Sequence, residues 1–159
     1  MTGTRTVFVA LTAFAGLTVL SACGAGVATV AIDTAQSSDA KGLVATQVGT
    51  LGNVVTAPDG RTLYRFDKDR ADPPVSTCND NCAAQWPPLI AEGSTVSATG
   101  VDPALLGTVT RKDGRKQVTI KGYPVYRFAK DTKPGEAKGH GMGGMWFAVT
   151  PDGAKAGRG

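Results

Sequence analysis

The sequence LYRFDKD at residues 63–69 returns 62 residues later as VYRFAKD at residues 125–131. Five of the seven positions are identical, which chance would rarely produce in a chain of 159 residues. In each segment one residue separates a tyrosine from a phenylalanine. In an extended strand both rings therefore point to one face, while the arginine between them points to the other. The repeat predicts two equivalent strands, each with one aromatic face.

A β-hairpin signal precedes each copy of this repeat. Val-Val-Thr at 54–56 leads into Pro-Asp-Gly at 58–60, and Thr-Val-Thr at 108–110 leads into Lys-Asp-Gly at 112–114. Proline presets φ for the first corner of such a turn, and glycine supplies the positive φ after it. We therefore expect a mainly β fold, in which a duplicated β-meander forms a small compact barrel or sandwich.

Short helical turns are expected between the strands. The sequence predicts single turns at residues 82–86 and 103–106, the second with Asp102 as its N-cap and a proline at its first position. A proline-containing loop and then a tryptophan follow each copy of the repeat, Trp86 in the first and Trp146 in the second.

The N-terminus has the pattern of an export signal. Arg5 supplies a positive charge, and residues 7–20 form an uncharged apolar run of 14 residues, too short for a comfortable membrane span. The run ends in Leu-Ser-Ala-Cys at 20–23, which resembles a bacterial lipobox, whose cysteine sulfur receives a diacylglycerol. We expect residues 1–22 to be a lipoprotein signal peptide and Cys23 to be lipidated; the alternative is a plain secretory signal with an incidental cysteine.

These features divide the chain into four predicted parts. Residues 1–22 are the signal peptide, and residues 23–42 are the lipidated cysteine and a flexible tether without aromatic residues. Residues 43–153 form the β domain, with the two copies at about 51–90 and 107–150, and residues 154–159 form a disordered tail. The predicted location is the extracytoplasmic face of a cell membrane or envelope, where the lipid anchors the protein and its partner is an unknown envelope ligand or protein.

The composition argues against several classes of function. The 17 basic and 13 acidic residues are spread along the chain, so we expect no nucleic-acid partner. One histidine excludes a three-histidine metal site, and the two glutamates show no paired-glutamate pattern of a glycosidase. Because no familiar catalytic motif appears, we expect a non-enzymatic binding or structural module.

The duplicated pattern resembles the secreted repeat of unknown function, found in bacterial lipoproteins with a Yx(FWY)xxD motif, also written Y-x4-D. The matching residues are Tyr64, Phe66 and Asp69 in the first copy, and Tyr126, Phe128 and Asp131 in the second. The flanking segments at 78–88, 122–124 and 139–146 also look like the family, so the resemblance covers roughly residues 51–153. It implies little about activity, because the role of the family is itself unsettled.

The motif residues have a structural and a functional interpretation. Each tyrosine and phenylalanine pair can fill a core, and Asp69 and Asp131 can accept backbone N–H groups in turns just past the strands. The functional alternative is a ligand groove lined by the aromatic rings and the two aspartates.

Cys78 and Cys82 are the only cysteines left after lipidation of Cys23. One helical turn would place their Cα atoms about 6 Å apart, within reach of a disulfide in an oxidising compartment. A thiol–disulfide oxidoreductase is the alternative, although the spacing is not Cys-x2-Cys. Covalent haem is disfavoured because Ala83, and not a histidine, follows the second cysteine.

The segment GHGMGGM at 139–145 is the remaining cluster of side chains that could bind a metal ion. His140, Met142 and Met145 could hold Cu(I) through one imidazole and two thioethers. This loop departs from the family pattern, so metal binding does not follow from the resemblance. We expect no cofactor, with copper as the alternative; a redox or copper-handling lipoprotein that uses this loop and the cysteine pair is the second functional hypothesis.

Overall fold

The computed structural model describes residues 42–157. The predicted signal peptide, Cys23 and nearly all of the predicted tether lie outside these residues. The described part contains ten β-strands, one short α-helix and three 3-10 turns. None of its helices has the length and apolar character needed to cross a membrane.

The strands, in chain order, are β1 Leu43–Gln47, β2 Asn53–Thr56, β3 Tyr64–Phe66, β4 Arg70–Ala71, β5 Pro74–Val75, β6 Ala98–Thr99, β7 Leu106–Thr110, β8 Lys116–Ile120, β9 Tyr123–Tyr126 and β10 Trp146–Ala148. The helix α1 is Asn81–Gln85, and the 3-10 turns are Gly49–Leu51, Pro103–Leu105 and Met142–Gly144.

Three sheets are formed. The largest has the order β10-β3-β9-β8-β7 and is antiparallel throughout. The second has the order β2-β1-β6, with β1 and β6 parallel, and β4 and β5 form a small ribbon. The mainly β prediction is confirmed. Of the two predicted architectures the sandwich fits, since no sheet of residues 42–157 closes into a barrel.

Three Asp-Gly turns shape the strand connections. They are centred on Asp59-Gly60, Asp113-Gly114 and Asp152-Gly153, whose glycines have φ of +76°, +80° and +79°. In each turn the aspartate side chain accepts the backbone N–H two residues later, at 3.3, 3.0 and 3.5 Å. Aspartate and glycine are therefore needed together, because the carboxylate holds the corner and only glycine adopts its left-handed conformation without strain.

The predicted helical turns are present. Helix α1 begins one residue before the predicted start at residue 82 and ends at Gln85. The 3-10 turn Pro103–Leu105 has Asp102 as its N-cap, whose side chain accepts the N–H of Ala104 at 2.9 Å.

The two copies of the repeat exchange their last strands. Strand β10, which ends the second copy, pairs with β3 of the first. Residues 87–89, which end the first copy, run beside β9 of the second: the N–H of Arg127 donates to the carbonyl of Pro87 at 2.8 Å, and the N–H of Leu89 donates to that of Val125 at 3.0 Å. Each copy thus completes the sheet of the other.

Backbone hydrogen bonds also join the two copies where their strands are exchanged. Val55 donates to the carbonyl of Val149, Val149 to that of Leu63, and Leu63 to that of Val55, at 2.8, 3.0 and 2.9 Å. All three residues are fully buried. In the other half, Val118 donates to Leu89 at 2.9 Å, repeating the first of these bonds. Since unpaired backbone groups are costly to bury, these bonds make the core of each copy depend on the other.

The C-terminus differs from the predicted disordered tail at residues 154–159. Ala156 is 2% exposed and its N–H donates to the carbonyl of Ala148 at 2.8 Å. Lys155 pairs with Val149, and its Nζ lies 2.6 Å from a carboxylate oxygen of Asp67. The ordered domain therefore continues to residue 157. The physical reason is the third Asp-Gly turn, which returns the chain along β10.

The strand exchange makes a prediction about truncation. A chain that ends at residue 105 should not unfold cooperatively, because β3 would lose both of its neighbours, β9 and β10. A chain that ends at residue 157 is the control and should unfold like the full protein. Urea unfolding followed by tryptophan fluorescence measures this, and a cooperative transition in the shorter chain would show that the first copy folds alone.

Candidate functional site

The tyrosines and aspartates of the repeat bond across the two copies. The Tyr64 hydroxyl donates to Asp131 at 2.5 Å, and the Tyr126 hydroxyl donates to Asp69 at 2.6 Å. Tyr64 stands opposite Tyr126 in the register of β3 and β9, so an approximate two-fold axis runs between them. The repeat is therefore reciprocal: each tyrosine finds its acceptor in the other copy.

The second oxygen of each aspartate holds the loop that follows its own strand. In the first copy, Asp69 accepts both the N–H and the hydroxyl of Thr77 at 2.7 Å. In the second, Asp131 accepts the N–H of Lys138 at 3.0 Å. These acceptors reach eight and seven residues along the chain, farther than the local turns expected from the sequence. Both aspartates are buried.

Burial sets the protonation of these groups. It raises the pKa of Asp69 and of Asp131, and the hydrogen bonds from the tyrosines and from the loops offset this only in part. The pKa values of Tyr64 and Tyr126 are also raised, first by burial and then by the neighbouring carboxylates. Both phenols consequently stay protonated and act as donors.

Four further aromatic rings lie in one continuous stack beside these pairs. Trp86 and Trp146 are parallel with their centroids 3.8 Å apart; Phe66 stacks on Trp146 at 4.1 Å, and Phe128 on Trp86 at 4.4 Å. Tyr64 and Tyr126 each meet one tryptophan edge-on. Since all six rings are at most 7% exposed, the structure places them in the core and opens no groove between them.

Gly139 completes this core, and sequence reasoning missed its role. A Cβ atom there would lie 2.7 Å from the Trp86 ring and 3.0 Å from the ring of Tyr64, too close for any side chain. Its N–H also reaches the Tyr64 hydroxyl oxygen at 3.3 Å. A glycine in a glycine-rich loop carries no signal that distinguishes such a close approach from flexibility.

The predicted disulfide is confirmed, and a buried arginine supports its loop. Cys78 and Cys82 are bonded, with Cα atoms 5.2 Å apart, and Cys78 is fully buried. Arg111, 5% exposed, donates to the Ser76 hydroxyl, the Cys78 carbonyl and the Asn79 side chain at 2.6, 2.8 and 3.0 Å. Sequence analysis did not single out Arg111, because an arginine at a hairpin turn is ordinarily exposed.

The histidine and methionine loop packs against the aromatic core. His140 Nδ1 accepts the N–H of Ala148 at 3.3 Å, so the neutral ring carries its proton on Nε2. Burial lowers the pKa of this imidazole. Met142 and Met145 pack against the core, where Met142 also receives a weak bond from Gln85. No group of three or more His, Cys, Asp or Glu side chains within residues 42–157 could hold a metal ion. Copper binding at this loop stays a prediction.

The candidate site is a cleft of about 570 Å³, lined by the start of β1, the segment 89–97, β8, Arg127 and the Asp59 turn. Its volume lies within the range of about 300–1,000 Å³ that small-molecule sites occupy. The apolar lining consists of Leu43, Pro58, Leu89, Ile90, Ala91, Val96 and Val118, and the polar lining includes Asp59, Glu92, Thr95, Ser97 and Arg127.

Two arginines converge on the aspartate at the edge of this cleft. Arg61 donates from Nε and Nη2 to one oxygen of Asp59 at 2.9 and 2.6 Å, and Arg127 donates from Nη1 to the same oxygen. Burial would raise the pKa of Asp59, but the hydrogen bonds from the two guanidinium groups outweigh it, and the pKa is lowered. Asp59 is therefore ionised at neutral pH.

A second depression of about 390 Å³ lies beside α1, around Arg111, Lys112, Asp113 and Arg115. Arg115 holds Asp113 with two side-chain bonds, and Arg111 is committed to the disulfide loop. Arg111, Asp113 and Arg115 thus bind one another or the fold, and the depression lacks the apolar floor of the larger cleft, which is therefore the better candidate.

The aromatic stack predicts a large cost for emptying either of its ends. Phe66→Ala or Phe128→Ala should lower the free energy of unfolding by about 3 kcal/mol or more, since each removes a buried ring. Thr108→Ala, on an exposed position of β7, is the control and should change stability by less than about 0.5 kcal/mol. Urea unfolding measures both; a loss below about 1 kcal/mol for both phenylalanine variants would contradict the stack as core.

The raised pKa of Asp131 predicts a pH-dependent cost for Asp131→Asn. A carboxyl whose pKa is higher in the folded state stabilises that state as it binds its proton, so this contribution grows as the pH falls toward the reference value of 3.8 and is lost above the folded pKa. The variant lacks this contribution and should fall further below the wild type at pH 4 than at pH 7. Unfolding at the two pH values measures it; a smaller gap at pH 4 would reverse the sign.

Comparison with known proteins agrees with the duplication. A sequence model described as a secreted repeat of unknown function matches twice, at residues 45–90 and 107–150. Neither the curated proteins nor the solved structures contain a significant match. The two matched ranges coincide with the two copies that exchange strands, and together they cover more than half of the chain. The protein belongs to the family of secreted repeats of unknown function.

Proposed function

We propose that this protein is a lipid-anchored module of the cell envelope that binds a ligand in the cleft between β1, the segment 89–97 and β8, without catalysing a reaction. The observation that carries the proposal is that the repeat residues and the cleft occupy separate parts of the fold. The tyrosines, phenylalanines and aspartates of the repeat are buried in the core. The cleft, in contrast, combines an apolar floor with charged residues at its edge. Such a combination is typical of small-molecule sites.

An extracytoplasmic location is supported by two independent observations. The family consists of secreted repeats. The Cys78–Cys82 disulfide belongs to an oxidising compartment, because cytoplasmic thiols are kept reduced.

The chemistry of the cleft favours binding over catalysis. Its charged lining groups are two carboxylates and one guanidinium, and Asp59 is already neutralised by two arginines. An ionised carboxylate held in this way is a poor proton acceptor, because its pKa is lowered. The hydroxyls of Thr95 and Ser97 line the same cleft without a histidine among its lining residues to activate them.

Lipid anchoring predicts the state of the mature N-terminus. Cys23→Ser should leave the protein uncleaved or unlipidated, because the diacylglycerol is transferred to a cysteine sulfur. Mass spectrometry of the membrane fraction measures this, with Cys78→Ser as the matched control that should leave lipidation intact. A wild-type N-terminus that is unmodified and begins at another residue would refute the anchor.

Ligand binding in the cleft predicts saturable uptake of an uncharged, environment-sensitive dye. Ala91→Trp should abolish most of this uptake, because an indole at the wall would fill much of the apolar space. Ala104→Trp, at the exposed 3-10 turn, is the control and should bind as the wild type does. Fluorescence titration measures both. Absence of saturable binding to the wild type, or equal binding by Ala91→Trp, would contradict the proposed function.

A further inference from the structure

We infer that the cleft takes an amphiphile with an acidic head group, a carboxylate or phosphate on an aliphatic body, and that Arg127 binds the acid. This inference rests on the proposed function and deepens it. It depends on the charge at the edge of the cleft, on the aliphatic floor, and on a difference between the two copies of the repeat.

Arg127 offers unused donors at the edge of the cleft. Its hydrogen bonds to described residues use Nη1 alone, which donates to Asp59, while Nε and Nη2 have no such partner. The side chain is 23% exposed. A guanidinium has five N–H donors in a planar fork that matches a carboxylate or a phosphate, so the remaining donors suit an acid.

The charge around Arg127 is not cancelled by Asp59. Arg61 already gives that carboxylate two side-chain bonds and a backbone bond. The cluster of Arg61, Arg127 and Asp59 therefore carries one net positive charge, with Glu92 as the other charged group of the lining. Because Asp59 also accepts two side-chain bonds from Arg61, it would keep a partner when Arg127 turns to a ligand.

The equivalent arginine of the first copy is not available to a ligand in this way. Arg65 lies over the ring of Tyr123, 3.3 Å from its centroid, and its Nη1 donates to the carbonyl of Gly153 at 2.9 Å. Its Nε is buried. Both arginines occupy the same place in the repeat, but Arg127 and not Arg65 lines this cleft. The cleft itself is lined by residues of both copies.

The floor specifies the rest of the ligand. Leu43, Leu89 and Val118 are at most 8% exposed and form a closed aliphatic base. The lining residues contain no aromatic ring on which a sugar or a base could stack. An aliphatic body is the complement that buries the most apolar surface here.

Glu92 supplies an opposing charge. Its carboxylate is exposed and lines the same cleft. It should repel an acidic head group, so removing its charge should strengthen binding of an acid and weaken binding of a cation. The two cleft residues Arg127 and Glu92 thus predict changes of opposite sign for the same ligand.

Decanoate, decanol and decyltrimethylammonium, which share one aliphatic body, test the inference by displacement of the uncharged dye at pH 7.5. Decanoate should bind the wild type about tenfold more tightly than decanol, and the cation most weakly. Arg127→Gln should weaken decanoate about tenfold and leave decanol within about twofold. Glu92→Gln should strengthen decanoate. Lys130→Gln, which removes an exposed positive charge that does not line the cleft, is the control and should leave all three unchanged.

The outcomes separate this inference from the proposed function. If decanol or the cation binds as tightly as decanoate, or if Arg127→Gln does not affect decanoate, the acidic head group is wrong while the cleft stands. If Lys130→Gln weakens decanoate as much as Arg127→Gln does, the attraction is to the overall charge and the assignment to Arg127 fails. If the dye itself shows no saturable binding, the proposed function fails as well.

Discussion

The hydrogen bonds that Tyr64 and Tyr126 donate to the aspartates of the opposite copy are the constraint on which the rest of the structure depends. They tie the end of each strand to a loop that belongs to the other copy. The strand exchange and the aromatic stack follow the same approximate two-fold axis. Trp86 and Trp146, one from each copy, stack on each other at the centre of the aromatic stack. A buried carboxylate that lost its phenol would keep its desolvation cost without its strongest donor, so each bond secures both copies at once.

The two copies share the aromatic rings and aspartates of the core but differ in what surrounds them. The first copy carries the disulfide loop held by Arg111, whereas the second has the loop around Gly139 at the corresponding place. Likewise, Arg65 contacts the ring of Tyr123 and donates to the carbonyl of Gly153, whereas Arg127 lines the cleft. The proposed binding cleft lies where the two copies differ in this way.

Sequence reasoning succeeded where the signal is local. The hairpin turns, the Asp102 cap and the Cys78–Cys82 disulfide follow from spacing over a few residues, and all are present. It failed where partners come from the other copy. Asp131 was expected to cap a local turn, but no spacing could reveal that Tyr64 would donate to it. The tail was expected to be disordered, although the Asp152-Gly153 turn could have signalled its return along β10. The cleft could not be foreseen, because its walls come from segments far apart in the chain.

A double-mutant cycle tests the reciprocal bonding most directly. Tyr64→Phe and Asp131→Asn, residues from opposite copies, should be coupled by about 1 kcal/mol or more in the free energy of unfolding, because each removes the same hydrogen bond. Tyr64→Phe and Asp69→Asn, residues of the same copy, should be additive to within about 0.5 kcal/mol. Urea unfolding of the six proteins measures both cycles. Additive effects for the cross-copy pair, or equal coupling for the same-copy pair, would contradict the account.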